Sequence, residues 1–363
     1  MIEYENLALL NKPFKKDYIK VAKAIIDKGW FVLGENVQLF EKEFAEYCGT
    51  SDCIGVASGL DALILSLNAL DLPKGSEVLV PSNTYIATIL AIIHNGFIPV
   101  LVEPDINTYN IDPNKIEEKI TNKTKAIIVV HLYGKLCQMD KIVSITSRHN
   151  LFLIEDCAQA HGAMFKRQKA GTFGIFGAFS FYPTKNLGAL GDGGAILTNN
   201  KQYAEKLRYL RNYGSKSKYY NEYIGFNSRL DELQAAFLRI KLKKLDVINE
   251  HKRNLANLYN IGLNNELIVK PKSDEVFFDV YHIYAIRNSN RSELRDYLFD
   301  NGIKTEIHYP VAPHRQKAMQ NLFSEEFLIS DEIHNSILSL PISYFHKFED
   351  IIKIIDVINR WGN

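Results

Sequence analysis

Cysteine is scarce in this chain of 363 residues: Cys48, Cys53, Cys137 and Cys157 stand alone, with no C-x-x-C spacing. That leaves no zinc-ribbon pattern and no disulfide framework, and a chain of this length needs neither to fold. Reduced thiols in or near cores are expected, and no metal site. Charge of one sign is lacking too, since 43 Lys and Arg balance 42 Asp and Glu. Without a net positive field there is nothing to hold nucleic acid or an anionic membrane, so a small molecule is the expected partner. No window approaches the ~18 apolar residues of a membrane span. The start, MIEYENLALLNKPFKKDYIK, has no basic region followed by an apolar run, so the expected address is the cytoplasm. Neither G-x-x-x-x-G-K-[ST] nor G-x-G-x-x-G occurs, and GTFGIFG has the wrong spacing for a phosphate loop.

What is present is an ordinary globular mixture, 46% hydrophobic and 23% charged, in a chain long enough to split its core. Residues 1–30 read as an arm with a helix around Tyr18–Asp27. Val37, Phe40, Phe44 and Tyr47 share one face of a second helix that stops at Gly49. From Cys53 short apolar runs alternate with helical periods: CIGVA, then SGLDALILSLNAL, EVLV, TYIATILAIIHNG, IPVLVE, KAIIVVHLYG and LFLIED. This alternation predicts a mostly parallel sheet sandwiched by helices, an α/β domain over 31–260. The stretch Asp231–Asn257 reads as one long amphipathic helix whose basic part, RIKLKKLD, is a solvated face. Residues 261–363 read as a smaller α+β domain, with TEIHYP as one of its strands.

Ligands of parallel sheets bind beyond the carboxyl ends of the strands. That rule brings Ser58–Leu60, Thr84–Tyr85, Asp156–Gln159 and Ser180–Lys185 into one neighbourhood. A lone lysine is usually a solvated charge. Lys185 differs because it follows Pro183 at a strand end, among Gly188, Gly191, Gly193 and Gly194. An amine there condenses with a carbonyl if burial or cationic neighbours make it nucleophilic. Asp156, at the end of LFLIED, is either a turn cap or the partner of a protonated ring nitrogen. The helix start at Ser58-Gly59-Leu60 offers free N–H groups to a phosphate.

Taken together, SGLDALILSLNAL, VPSNTYIATILAI, LIEDCAQAHGA, SFYPTKNLGALGDGGAILTN, GFNSRLDELQAAFLRIKLKKLD and TEIHYPVAPHRQ resemble the DegT/StrS-type nucleotide-sugar aminotransferases. The resemblance implies a fold-type I enzyme that uses pyridoxal 5'-phosphate, with pyridoxamine phosphate between its two half-reactions. It also implies a homodimer with shared active sites. Carried over by position, Lys185 links the cofactor covalently and Asp156 holds its pyridine nitrogen. Gln159 stands near the phenolic oxygen and Tyr85 stacks on the ring. Ser180 with the Gly59 and Leu60 amides binds phosphate, and Asn227 reaches it from the partner subunit. Leu60 stands where many relatives have threonine and contributes only its backbone. Tyr182, His308 and Tyr309 are candidates for the sugar. For Arg229, substrate contact and a salt bridge at a helix start are both open.

The dehydrating branch of the family has histidine at the lysine position, so Lys185 favours transamination. SGLDALILSL, NTYIAT and IHYPVAPHRQ are most similar to the branch that aminates C-3 of dTDP-linked 3-keto-6-deoxyhexoses, with glutamate as donor. The alternatives are amination at C-4 of a 4-keto-6-deoxyhexose and a non-enzymatic pyridoxal phosphate-binding regulator.

Overall fold

The computed structural model describes residues 1–272 and 274–362. Its centre is a seven-stranded sheet. In chain order the strands are β1 (Asp52–Val56), β2 (Glu77–Pro81), β3 (Ile98–Val102), β4 (Thr124–Val130), β5 (Phe152–Asp156), β6 (Phe176–Ser180) and β7 (Gly194–Thr198). Their order across the sheet is β1-β7-β6-β5-β4-β2-β3. Only β7 runs against its neighbours, pairing antiparallel with both β1 and β6; the other pairings are parallel.

Both faces are apolar, as a covered parallel sheet requires. On β4, Ile127 and Val129 enter one core while Ala126 and Ile128 enter the other, the period-2 alternation of a strand. The first core packs under helices α2 (Glu35–Cys48), α5 (Met139–Arg148) and α7 (Glu232–Leu242). The second packs under α3 (Gly59–Ala69), α4 (Ile86–His94) and α6 (Lys201–Leu210). Helix α1 (Lys15–Lys28) lies outside them, where Phe14 and Tyr18 pack with Phe237 and Ile248.

A third core joins α8 (Leu245–Gly262), the antiparallel pair β8 (Tyr284–Arg287) and β9 (Ile337–Leu340), α9 (Arg291–Asp300) and α11 (Phe348–Ile358). Helix α10 (Leu328–Ser336) leads into β9. The chain start joins this core: Ile2 bridges Ile303, and its N–H donates to the Gly302 carbonyl at 2.7 Å.

Three expectations change. The stretch 231–257 is two helices, broken at Lys243–Lys244. Its basic part is a solvated face only in part: Lys243 and Lys244 are exposed, but Lys241 is buried and donates to the Gly188 carbonyl at 2.8 Å, and Arg239 forms a two-pronged pair with Glu43. Periodicity reports that a helix is amphipathic but not that a long cation finds a buried carbonyl. TEIHYP is not a strand; it makes a single bridge, Glu306 to Ser339, and its His308 and Tyr309 side chains turn to Ser339 and Gln159.

Candidate active site

Strand β5 ends in Asp156, between β4 and β6, with Asp156 opposite Val130 on one side and Ala178 on the other. Its carboxylate is buried and accepts from the Thr88 hydroxyl at 2.9 Å and the Ala158 N–H at 3.1 Å. Thr88 in turn meets Thr84 at 2.8 Å, one turn along the chain. Burial raises the Asp156 carboxyl above its ordinary pKa, offset in part by the Ala158 N–H, Thr88 and Lys185. Its hydrogen-bond partners are neutral, so a cation placed against it would restore the charged form.

The next strand supplies the amine. After Ser180 the chain turns outward at the exposed Tyr182, and the Lys185 N–H closes the turn on the Tyr182 carbonyl at 2.9 Å. A Cβ on Gly188 would lie 2.4 Å from the Pro183 carbonyl oxygen, so only glycine lets this loop fold on itself. Lys185 is half-buried and lines the cavity of the site. Desolvation brings its pKa down to about 8, against the pull of Asp156, so roughly a tenth is free amine at pH 7.

Helix α3 points its start at the same place. Ser58 caps it by accepting from the Asp61 N–H at 3.1 Å. Asp61 does not close a capping box in return; its carboxylate accepts from Ser228 at 2.8 Å. That leaves the Gly59 and Leu60 amides at the positive end of the helix. A Cβ on Gly59 would sit 2.5 Å from the Ser180 Cβ, so helix start and strand end touch through the missing side chain.

These groups line one cavity of about 610 Å³. It brings together ten of the residues singled out from the sequence: Gly59, Leu60, Tyr85, Asp156, Gln159, Ser180, Tyr182, Lys185, His308 and Tyr309. Gln159 accepts from the Tyr133 N–H at 2.6 Å and donates to the Tyr309 hydroxyl at 3.0 Å. The Tyr85 ring is half exposed and lies 5.1 Å from that of Tyr309. His308 is held by Ser339 at 2.9 Å and, through its carbonyl, by the Tyr133 hydroxyl. Burial, with Lys185 nearby, lowers its pKa to about 4, so the ring is neutral.

Two candidates lie outside this cavity. Asn227 is exposed and bridges Asn212, and Arg229 donates to the Asn212 side chain at 2.9 Å. Sequence reasoning passed over Thr88 and His282, both of which line the cavity. The signal for His282 was an ionisable ring inside the aromatic run EVFFDVYHIYAIR; for Thr88 it was a hydroxyl four residues after Thr84.

His131, Glu155 and Cys157 form a buried cluster close enough to hold a metal, but its donors are engaged. Glu155 accepts from His131 at 3.0 Å and from the N–H groups of Gly171, Phe173 and Gly174, and burial pushes the Cys157 thiol up into its protonated form.

The model of the DegT/DnrJ/EryC1/StrS aminotransferase family matches residues 13–359. The chain belongs to that family. Among its relatives, the chain is 51% identical, over all of both chains, to the dTDP-3-amino-3,6-dideoxy-alpha-D-galactopyranose transaminase of Aneurinibacillus thermoaerophilus. It is 42% identical to the dTDP-3-amino-3,4,6-trideoxy-alpha-D-glucose transaminase of Streptomyces venezuelae, over 93% of this chain and 90% of that one. The crystal structure of S. venezuelae DesV in complex with a ketimine intermediate superposes with a TM-score of 0.97 at 40% identity, covering 99% and 98% of the two chains.

As a DegT-family member the protein is a sugar aminotransferase acting on a nucleotide sugar with an amino donor, and it has the fold-type I architecture. The family's enzymes depend on pyridoxal phosphate. The residues present fit that cofactor: a buried carboxylate with only neutral hydrogen-bond partners, a lysine of lowered pKa, and a helix start whose Gly59 leaves room beside Ser180. Among the described residues no helix is long and apolar enough to cross a membrane.

Proposed function

We propose that the protein transfers an amino group from glutamate to C-3 of a dTDP-linked 3-keto-6-deoxyhexose, giving a dTDP-3-amino-3,6-dideoxyhexose by a ping-pong mechanism. The observation that carries this reading is the end-to-end 51% identity with a transaminase named for a dTDP-3-amino-3,6-dideoxyhexose, around a cavity that keeps Lys185 and Asp156 together.

When bound, pyridoxal phosphate supplies an electron-accepting ring that acidifies the carbon beside an attached amine and carries the amino group from donor to acceptor. Lys185 would hold the cofactor covalently; as a free amine it would take a proton from the substrate side and, as the ammonium so formed, give it back on the cofactor side. Asp156 keeps the ring nitrogen protonated, and the Thr88 hydroxyl orients the carboxylate. The Gly59 and Leu60 amides and Ser180 would hold the phosphate, Tyr85 would cover the ring, and Gln159 would serve the phenolic oxygen. Tyr182, His308 and Tyr309, which line the same cavity, would contact the sugar.

We further propose a homodimer in which Asn227 reaches the partner's phosphate site and Arg229 lies near its substrate, in a cytoplasmic enzyme. The division into an arm (1–30), a cofactor domain (31–260) and a small domain (261–363) goes with this reading. Trp30, Phe31, Ile224 and Phe226 are exposed, apolar side chains that a second copy would cover. Light scattering that gives a monomer at assay concentration would remove the shared site.

The substrate is tested by offering purified protein glutamate with dTDP-3-keto- and dTDP-4-keto-6-deoxyhexoses separately. Turnover of the 3-keto sugar is expected, and turnover of only the 4-keto sugar refutes the C-3 assignment. Borohydride reduction followed by peptide mapping should place the cofactor on Lys185.

A further inference from the structure

The lysine has a neighbour with no role in the reading above. His282 Nε2 lies 3.4 Å from Lys185 Nζ. The two residues sit on different elements, and a polar lattice ties those elements together. Lys252, on α8, donates to the His282 carbonyl at 3.1 Å and to the Asn186 side chain at 2.9 Å. Asn186 follows Lys185 in the chain, and its amide donates to the Val280 carbonyl at 3.0 Å and to Asn249 at 2.9 Å. Each member of the pair therefore has its backbone position fixed by buried hydrogen bonds.

His282 also separates two spaces. One is the main cavity; the other is a chamber of about 70 Å³ lined among others by Tyr4, Glu5, Thr184, Lys252 and His308. That chamber is polar and roomy enough for water. Among the described residues, His282 Nδ1 is buried without a protein hydrogen-bond partner. Burial and the charges of Lys185 and Lys252 push its pKa well below the usual 6.5, so the ring is neutral. The Lys185 ammonium has donors only, so the neutral ring facing it carries its proton on Nδ1 and leaves Nε2 as the acceptor.

We infer that His282 is a positioning residue: its Nε2 accepts a hydrogen bond from the Lys185 amine whenever that amine is not bonded to the cofactor, and so fixes where the free amine stands in the cavity. This rests on Lys185 being the linking residue. Borohydride label elsewhere than Lys185 would sink that assignment, whereas the comparison below sinks only the role of His282.

The test uses the apoprotein and pyridoxal phosphate, following by stopped-flow absorbance the formation of the carbon–nitrogen bond as water leaves. His282→Gln carries an oxygen that reaches the Nε2 position; His282→Asn is polar but stops short. The Asn variant should form the bond about tenfold more slowly and the Gln variant at close to the original rate, because a misplaced reacting group loses its near-attack geometry. The pH midpoint of the Asn variant should also fall, since the Lys185 ammonium loses an acceptor. Asp156, His161, His308 and Lys252 also face this amine and are unchanged in both variants, so the difference belongs to residue 282. Circular dichroism and melting confirm folding. An Asn variant as fast as the original protein, or a Gln variant as slow as the Asn one, overturns the inference. On the unaltered protein, the ¹⁵N resonance of His282 Nε2 should move when cofactor takes up the Lys185 amine, and an unmoved resonance also overturns it.

Discussion

Replacing Gly59 with alanine sets two effects of opposite sign against each other. Alanine is a better helix former, which is worth up to about 1 kcal/mol within a helix and less at its first turn. The added Cβ, however, would lie 2.5 Å from the Ser180 Cβ and 3.1 Å from its Cα, and ordinary contact begins only at 3.4 Å. The shortfall of about 0.9 Å falls on a backbone-bound neighbour, so no rotamer change relieves it. Overpacking of this kind costs roughly 1–3 kcal/mol, so the net effect should be a loss. The movement separates the α3 start from the end of β6, which carry the proposed phosphate donors. Losing one charge-assisted hydrogen bond there costs about 1.5–3 kcal/mol, or roughly 10- to 100-fold in cofactor dissociation constant. Titrating apoprotein with pyridoxal phosphate by fluorescence quenching measures it. Leu60→Ala is the companion, because it keeps the amide; its affinity should change less than about threefold although stability falls by about 1–2 kcal/mol. Unaltered affinity in Gly59→Ala, or equal weakening in Leu60→Ala, would refute the reasoning.

Acid should unfold the protein from just below neutrality. His161 and His308 are held neutral, with pKa lowered to about 3 and about 4 by burial, so below pH 6.5 the unfolded chain binds protons that the folded one does not. Each then removes roughly 1.4 kcal/mol per pH unit down to its folded value. Asp156 and Asp279, whose pKa values are raised, oppose this only where their own carboxyls titrate. A urea midpoint that stays flat from pH 7 to 5 would contradict it. In base the same sign holds for lysines: Lys185, Lys241 and Lys252 are each lowered to about 8, so the unfolded chain holds more protons above pH 8 and stability should rise between pH 8 and 9. Lys185 should also condense with pyridoxal phosphate faster as pH rises to about 8 and then level off, as stopped-flow rates would show. Asp156→Asn should cut turnover by ~10²-fold or more while leaving borohydride label on Lys185; turnover within a factor of a few would remove Asp156 from the mechanism.

The sheet was legible because each strand carries its own record of burial. Runs such as EVLV and KAIIVV have to be covered on both faces wherever they sit, and a strand end is visible as Asp156 or Ser180 where the apolar run stops. The cofactor neighbourhood followed from the rule about carboxyl ends. What local pattern cannot carry is a partner far along the chain. Glu232 accepts from the N–H groups of Asn36 and Val37 and so caps α2 from 196 residues away; in the sequence it is one acidic residue among many. Lys241 looks like any basic residue on a helix until the Gly188 carbonyl is seen beside it. TEIHYP alternates like a strand, yet beyond the bridge at Glu306 its groups serve the site: His308 meets Ser339 and Tyr309 meets Gln159. His282 was hidden for the same reason, since its meaning depends on Lys185, 97 positions earlier.

The reversed strand β7 imposes an order on assembly. Lys185 lies in the connection between β6 and β7, and β7 is wedged between β6 and β1. Asp52 pairs with Thr198 and Val56 with Gly194, so the outer wall of the lysine loop comes from a strand made some 140 residues earlier. Closing so long a loop is slow compared with forming local hairpins. A nascent chain thus has its α3 start early but cannot shape the pocket until β7 has emerged and found β1. Cofactor capture should be among the last events of folding, and in refolding experiments absorbance from the Lys185-linked cofactor should lag behind recovery of helical signal.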